Sequence, residues 1–285
     1  MLDLFAGTGA VVNTLLKKVS ELSADVPCAL CHERKPLRRS HIIPNAAFRR
    51  IKQAQNSGQL IQMDDSEDAP VRRSQDTWPE HLLCADCERV IGLYENYGLE
   101  LLRARNGSSM QDHAGGVTFR AHEYRRFKLF LTSILWRAAV SNQEVFAKVI
   151  LPERCEEEAR ASLLAAKPLS ALHLGCQMHR LVDTKATPEY GFDLDSLSQV
   201  VISPIPRLHD GRKYHTFLFL IEGFLLEYFV RAVPFKQAGH RGVHRDSPTL
   251  FVPNKCIFDV PEVIDLLVLN AGKHQRGLVA FKDRN

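Results

Sequence analysis

Cys28-Ala29-Leu30-Cys31 and, after 50 intervening residues, Leu82-Leu83-Cys84-Ala85-Asp86-Cys87-Glu88 are the stretches on which the fold turns. Each C-x-x-C brings two thiols to one side of a tight knuckle. Two knuckles close a tetrahedron of sulfur around Zn²⁺. The usual separation in a simple zinc ribbon is shorter, roughly 15–20 residues, so the chain between the knuckles must form a substantial insertion. Neither pair sits in a βαβ pattern, which argues against a redox motif. The spacing therefore predicts a structural zinc site of Cys28, Cys31, Cys84 and Cys87. Cys155, Cys176 and Cys256 stand alone and read as small buried hydrophobes.

The insertion carries chemistry. Nine residues after the first knuckle stand Ser40-His41-Ile42-Ile43-Pro44. With the two knuckles, this stretch resembles the HNH, or His-Me finger (ββα-metal), endonucleases. Many of these have a first C-x-x-C, then a D-H-I-x-P-like strand end, then L-C-x-x-C and a helix. The resemblance covers about residues 25 to 105. It is strongest to a divergent group with S-H-I-I-P and L-L-C-x-x-C-E, common in bacterial anti-phage defence. The segment from Phe127 to Arg137 also looks like the helix that follows the finger in that group.

The resemblance implies DNA cleavage with His41 as general base on a water, suited by an imidazole pKa of about 6.5. It further implies a catalytic divalent cation, Mg²⁺ or another non-zinc ion, beside the structural zinc. The sequence departs from the family at named positions. Ser40 stands where an aspartate or histidine usually binds the catalytic metal, and Pro79 where a middle asparagine is common. The last HNH histidine is absent. Glu88 and Glu95, two helical turns apart, are the carboxylates at plausible spacing on one helix face. His81 and Asn96 are weaker candidates.

Arg34, Lys35, Arg38, Arg39, Arg49, Arg50 and Lys52 fall within nineteen residues with no acid among them, bracketing His41. They are the expected phosphate contacts. Arg72 and Arg73 follow, and Arg120, Arg125, Arg126 and Lys128 either extend that track or form the polar face of a helix.

The rest of the chain gives architecture. Helices are expected at Val11 to Leu22, Asn45 to Gln55, from the second knuckle to about Arg105, at Glu123 to Val140, Glu153 to Ala166 and Pro261 to Leu269. The stretch 56–79 reads as a long loop with a short strand at Leu60 to Met63. Strands at Val200 to Ile205, Tyr214 to Ile221 and Leu225 to Val230, with turns at His209-Asp210-Gly211-Arg212 and Glu222-Gly223, predict an antiparallel meander. Leu250 to Val252 adds a strand. Asn106–Ser109 and Gly115-Gly116 mark breaks. His240-Arg241-Gly242-Val243-His244 reads as a basic loop. The expected organisation is α+β: an N-terminal helical segment (1–24), an HNH-like zinc-binding domain (25–107) and an accessory domain (117–285).

Composition sets the outer limits. The chain has 285 residues, 45% hydrophobic and 25% charged, with a net charge of +4. That excludes wholesale disorder and a coiled-coil rod. No stretch offers the roughly 18 uninterrupted apolar residues of a membrane span, and Asp3 interrupts any secretory signal, so a cytoplasmic protein is expected. Leu2-Asp3-Leu4-Phe5-Ala6-Gly7-Thr8-Gly9-Ala10 looks like the cofactor loop of S-adenosylmethionine-dependent methyltransferases. No acidic second strand follows it, so that reading is set aside. The alternatives to a nuclease are a catalytically inactive zinc finger that binds nucleic acid, or a scaffold subunit that binds a partner protein in a defence complex.

Overall fold

The computed structural model describes residues 26–54, 60–63, 66–74, 77–104, 110–171, 173–187, 189–202, 204–209, 214–230, 242 and 244–281. The helix expected at Val11 to Leu22, the Leu2–Ala10 turn, Asp64-Asp65, Asn106–Ser109, Asp210-Gly211-Arg212 and His240 lie outside the described residues.

The protein is α+β, and its described strands form three sheets. After the first knuckle come β1 (Leu37–His41) and α1 (Asn45–Ala54). Short strands β2 (Leu60–Gln62) and β3 (Val71–Ser74) follow, then β4 (Pro79–Cys84) and α2 (Ala85–Leu102). β4 pairs antiparallel with β1, with Leu37 opposite Cys84 and His41 opposite Pro79. The pairing brings the knuckles together and sets His41 at the strand end.

Beyond α2 lie β5 (Met110–His113), β6 (Gly116–Arg120), α3 (Tyr124–Val140) and α4 (Glu153–Leu164). Next are β7 (Leu174–Val182), α5 (Leu194–Ser198), β8 (Ile205–His209), β9 (Tyr214–Ile221) and β10 (Phe224–Val230). The described chain closes with β11 (Thr249–Cys256), α6 (Pro261–Gln275) and β12 (Val279–Phe281). Seven strands form one sheet in the order β5-β6-β11-β7-β10-β9-β8, antiparallel except for the β11–β7 pair.

That sheet is covered on both faces. Phe217, Phe219 and Ile221 of β9 enter one core, while Leu218 and Leu220 enter the other. Successive strand residues point to opposite faces, and burial on both faces is why β9 reads as a continuous apolar run. The larger core runs from Cys28 through α2 and α3 to the sheet, drawing on residues both before and after 107–116. α3 is buried continuously from Phe127 to Ala138, as befits a helix enclosed on all sides. Gly98 of α2 makes the close crossing possible, since a Cβ there would collide with the Phe130 ring.

Several details differ from the sequence expectation. The stretch 56–79 contains β3 as well as β2, and both join β12 in a third sheet. Strands this short carry no readable alternation. Residues 200–202 form no strand, and the edge strand begins at Ile205. Ile202 is buried nonetheless, so its apolar character marks burial without pairing. β7, at the sheet centre, and the β5–β6 hairpin were not expected. β11 is longer than Leu250 to Val252 and α6 longer than Pro261 to Leu269. His244 is fully buried against Tyr124 and Phe127 and is not part of an exposed basic loop.

Candidate metal centre and active site

The first knuckle is closed by its backbone: His32 N–H donates to Cys28 O at 2.8 Å, and Cys28 N–H to Glu33 O at 3.0 Å. Ala29 N–H donates to Leu82 O at 3.1 Å, tying the knuckle to β4. Cys84 precedes α2 as its N-cap and Cys87 lies in its first turn. The partial positive charge of a helix N-terminus favours thiolates there.

The four sulfurs lie within 4.8 Å of one another, and Cys31 and Cys84 Sγ are 3.9 Å apart. A tetrahedron with Zn–S bonds of about 2.3 Å has sulfurs roughly 3.8 Å apart, so the donor set fits a metal such as zinc. Burial pushes the Cys87 and Cys31 thiols up. Burial opposes ionisation of Cys28 too, but N–H groups of Cys31, Cys84 and Leu30 bring that thiol below its ordinary value. Backbone donors aimed at Cys28 are what a metal-bound thiolate requires. Arg160 of α4 donates to Leu30 O at 2.5 Å, buttressing the knuckle from outside.

Ser40 and His41 face opposite ways from β1. Ser40 is fully buried, and its hydroxyl donates to Glu88 Oε2 at 2.6 Å. Burial raises the Glu88 pKa, opposed by Ser40 and by Arg137. The His41 ring bonds Thr77 Oγ1 through Nε2 at 2.9 Å. Burial, then the charges of Arg137, Arg39, Lys52 and Arg49, lower its pKa to about 4.

Arg137, from the buried stretch of α3, links the two sides. Its side chain is 1% exposed; it donates to His41 O and, through Nε, to Ser133 O at 3.1 Å. Its Nη2 lies 2.6 Å from Glu95 Oε1. Glu88 and Glu95 thus share one face of α2, as their spacing predicts, but with different partners. Among the described residues, the four cysteines are the only metal-capable cluster of three or more His, Cys, Asp or Glu side chains. His41, Glu88 and Glu95 form no second one. His81 is exposed and reaches Leu37 O at 3.4 Å, and Asn96 is exposed.

The basic run divides in three. Arg34, Arg38, Arg39 and Arg49 are exposed and make no ion pair among the described residues. Lys35 pairs with Glu33 at 2.6 Å and Asp86 at 3.4 Å, and Arg50 with Glu222 at 2.7 Å and Asp195 at 3.1 Å. The acids that meet Arg50 are distant in sequence, whereas Lys35 pairs with its near neighbour Glu33 as well as with Asp86. Lys52, in the last turn of α1, adds its charge to the surroundings of His41. Lys128 is completely buried and donates to Leu174 O, so it belongs to the core and not to a phosphate track. Arg126 pairs with Glu123 and lies over the Tyr97 ring.

Thr77 and Arg137 were not singled out as functional residues from the sequence. A charge directly after the mostly apolar run Leu129 to Trp136 is the available signal for Arg137. Nothing in the sequence marks Thr77. No helix among the described residues is long and apolar enough to cross a membrane. No protein-family model, curated protein or solved structure matches the chain.

Proposed function

We propose that this chain is a metal-dependent endonuclease of the HNH, or His-Me finger, type, hydrolysing phosphodiester bonds in DNA, with anti-phage defence as its setting. In this reading β1, β4 and α2 are the ββα finger, zinc on Cys28, Cys31, Cys84 and Cys87 holds it in register, and His41 is the general base. One observation carries the reading: His41 ends a strand held by the four-cysteine cluster, within the field of Arg39, Arg49 and Lys52.

The base and the phosphate contacts are coupled. An imidazole with a pKa near 4 is neutral at pH 7, and so can accept a proton, but is weakly basic. Part of that depression comes from the cations that would bind phosphate. A bound phosphodiester offsets their charge and raises the His41 pKa toward the working range. Thr77 orients the ring meanwhile, and Arg137 holds the His41 carbonyl.

Glu88, oriented by Ser40, fits one carboxylate of a Mg²⁺ site, whose other ligands are commonly water and substrate phosphate oxygens. Glu95 fits less well, because Arg137 already balances its charge. A bound divalent cation would supply charge neutralisation at the reacting phosphate.

The commitment of Glu95 to Arg137 favours the second reading, a zinc finger that binds nucleic acid without cutting it. Plasmid cleavage across Mg²⁺, Mn²⁺ and Ni²⁺, with His41→Ala alongside and zinc measured in both, separates the two. The nuclease reading expects cutting by the wild type alone and equal zinc in both proteins. Salt-sensitive DNA binding without cutting under any metal would replace it by the second reading.

A further inference from the structure

Trp78 lies at the junction of three cavities. With Phe48, Ile51, Leu60, Val200 and Leu267 it lines an apolar cavity of about 400 Å³. With Arg72, Glu262 and Asp265 it lines a more polar one of about 540 Å³, and a narrow space joins the two. Both volumes fall in the range of small-molecule sites, roughly 300–1,000 Å³. The Trp78 backbone has φ of 53°, in the left-handed region that bulky residues seldom adopt. Such strain concentrates at ligand sites. Phe48 and Phe146 meet its ring edge-to-face at 5.3 and 5.8 Å, which fixes the indole plane.

Gln62 lines all three cavities, and its Nε2 is buried with no hydrogen-bond partner among the described residues. An unpaired buried amide is destabilising, because its hydrogen bonds to water are lost and not replaced. A ligand offering an acceptor to this amide would remove that cost. The polar cavity supplies the complement. Arg72 is an exposed cation at its wall. Both oxygens of Glu262 are engaged by Arg207, at 2.6 and 2.7 Å, and Arg207 also meets Glu227 at 3.4 Å. Asp265 is an exposed carboxylate at the same wall.

We propose that the cavities around Trp78 bind one nucleotide unit, presented by a nucleic-acid strand or as a free nucleotide. Its base lies against the indole in the apolar cavity and meets the Gln62 amide, and its phosphate faces Arg72. Stacking on an aromatic ring is open to any base, because each has a π-face. Thr77, which bonds His41, is the residue before Trp78, so an occupied site would also brace the imidazole. Binding stands apart from hydrolysis: a chain that cuts nothing would still take a nucleotide here.

Tryptophan fluorescence tests it directly. The chain has two tryptophans, and Trp136 is only 1% exposed. The full-length protein is titrated with the four nucleoside monophosphates, ribose 5-phosphate and a short single-stranded oligonucleotide. Saturable quenching is expected from at least one base-bearing probe, roughly tenfold or more tighter than ribose 5-phosphate, the factor that 1.4 kcal/mol of stacking gives. Trp78→Phe should abolish the quench. Gln62→Leu should weaken binding about tenfold while leaving the thermal midpoint unchanged or raised, because it removes an unpaired amide. If that variant does not fold, Gln62→Glu serves in the same comparison. Quenching by the oligonucleotide alone identifies a strand as the source, and quenching by monophosphates a free nucleotide. The proposal is overturned if no base-bearing probe quenches, if ribose 5-phosphate binds equally, or if the folded Gln62 variant binds like the wild type.

Discussion

At His41 the chemistry follows from neighbours that local sequence only half reveals. The flanking arginines and Lys52 are in plain view, but Arg137 arrives from a helix 96 residues away. Together with burial they hold the imidazole at about 4, against an ordinary value near 6.5. A base with a lowered pKa stays unprotonated as pH falls through 6.5, and loses function only toward 4. For the proposed nuclease, kcat/KM, which reports the free enzyme, should therefore hold through pH 6.5 and fall at lower pH. The acid limb of kcat, which reports the bound complex, should lie higher, because bound phosphate offsets Arg39, Arg49 and Lys52. A pH profile of cleavage at two substrate concentrations measures both. Coincident limbs at 6.5 would remove His41, as placed here, from the role of base. The same residue scale shows why the two carboxylates were not separable beforehand. Glu88 and Glu95 have the same spacing argument, and only Ser40 and Arg137 distinguish them.

Among the elements, β1, β4 and the start of α2 come together around the four cysteines. β1 has five residues and β4 six, too few for independent stability as an isolated pair. A four-thiolate ion would contribute folding energy to them outright. One zinc per chain is expected by elemental analysis. Cys84→Ser should abolish it, exposing β1, β4 and the first turn of α2 to rapid hydrogen exchange while β9 and β10 stay protected. Retention of full zinc in that variant would contradict the ligand assignment. α3 teaches a different lesson. A charge cluster in sequence placed Lys128 beside Arg125 and Arg126, but helical geometry sends it inward to Leu174 O. Its Nζ is compensated by a carbonyl, and burial lowers its pKa to about 8.

Across the whole molecule, Glu222 joins the cysteine-bearing half to the large sheet. It sits in the β9–β10 turn with its side chain 1% exposed, accepting from Arg50 of α1 at 2.7 Å and from Arg103 at the end of α2. Removing one member of a buried ion pair typically costs about 3–5 kcal/mol; here Arg103 is the charge left behind, while Arg50, 38% exposed, keeps Asp195. Glu222→Gln, which keeps size and loses charge, should destabilise the protein by about 3 kcal/mol in urea unfolding. Its zinc content should be unchanged. A loss below about 0.5 kcal/mol, the level of ordinary surface substitutions, would mean that Arg50 and Arg103 are satisfied without it.

Local sequence alone specifies the four-cysteine cluster, the helices α1 to α4 and the β9–β10 hairpin, whereas the first strand of the meander, expected at Val200 to Ile205, forms at Ile205–His209. Each rests on local spacing: two short thiol pairs, a 3.6-residue period, or a dense apolar run between turns. The centre of the sheet, where β7 meets β11 in parallel across 74 positions of chain, comes from long-range packing. The tertiary structure also decided which basic residues remain unpaired, since the acids that meet Lys35 and Arg50 lie up to 172 positions away. It decided that Ser40 turns to Glu88 while His41 turns to Thr77. The physical reason is the same in each case. Periodicity and knuckle spacing are properties of neighbours along the chain, whereas ion pairing, burial and the partner of an imidazole are set by whatever the fold brings alongside.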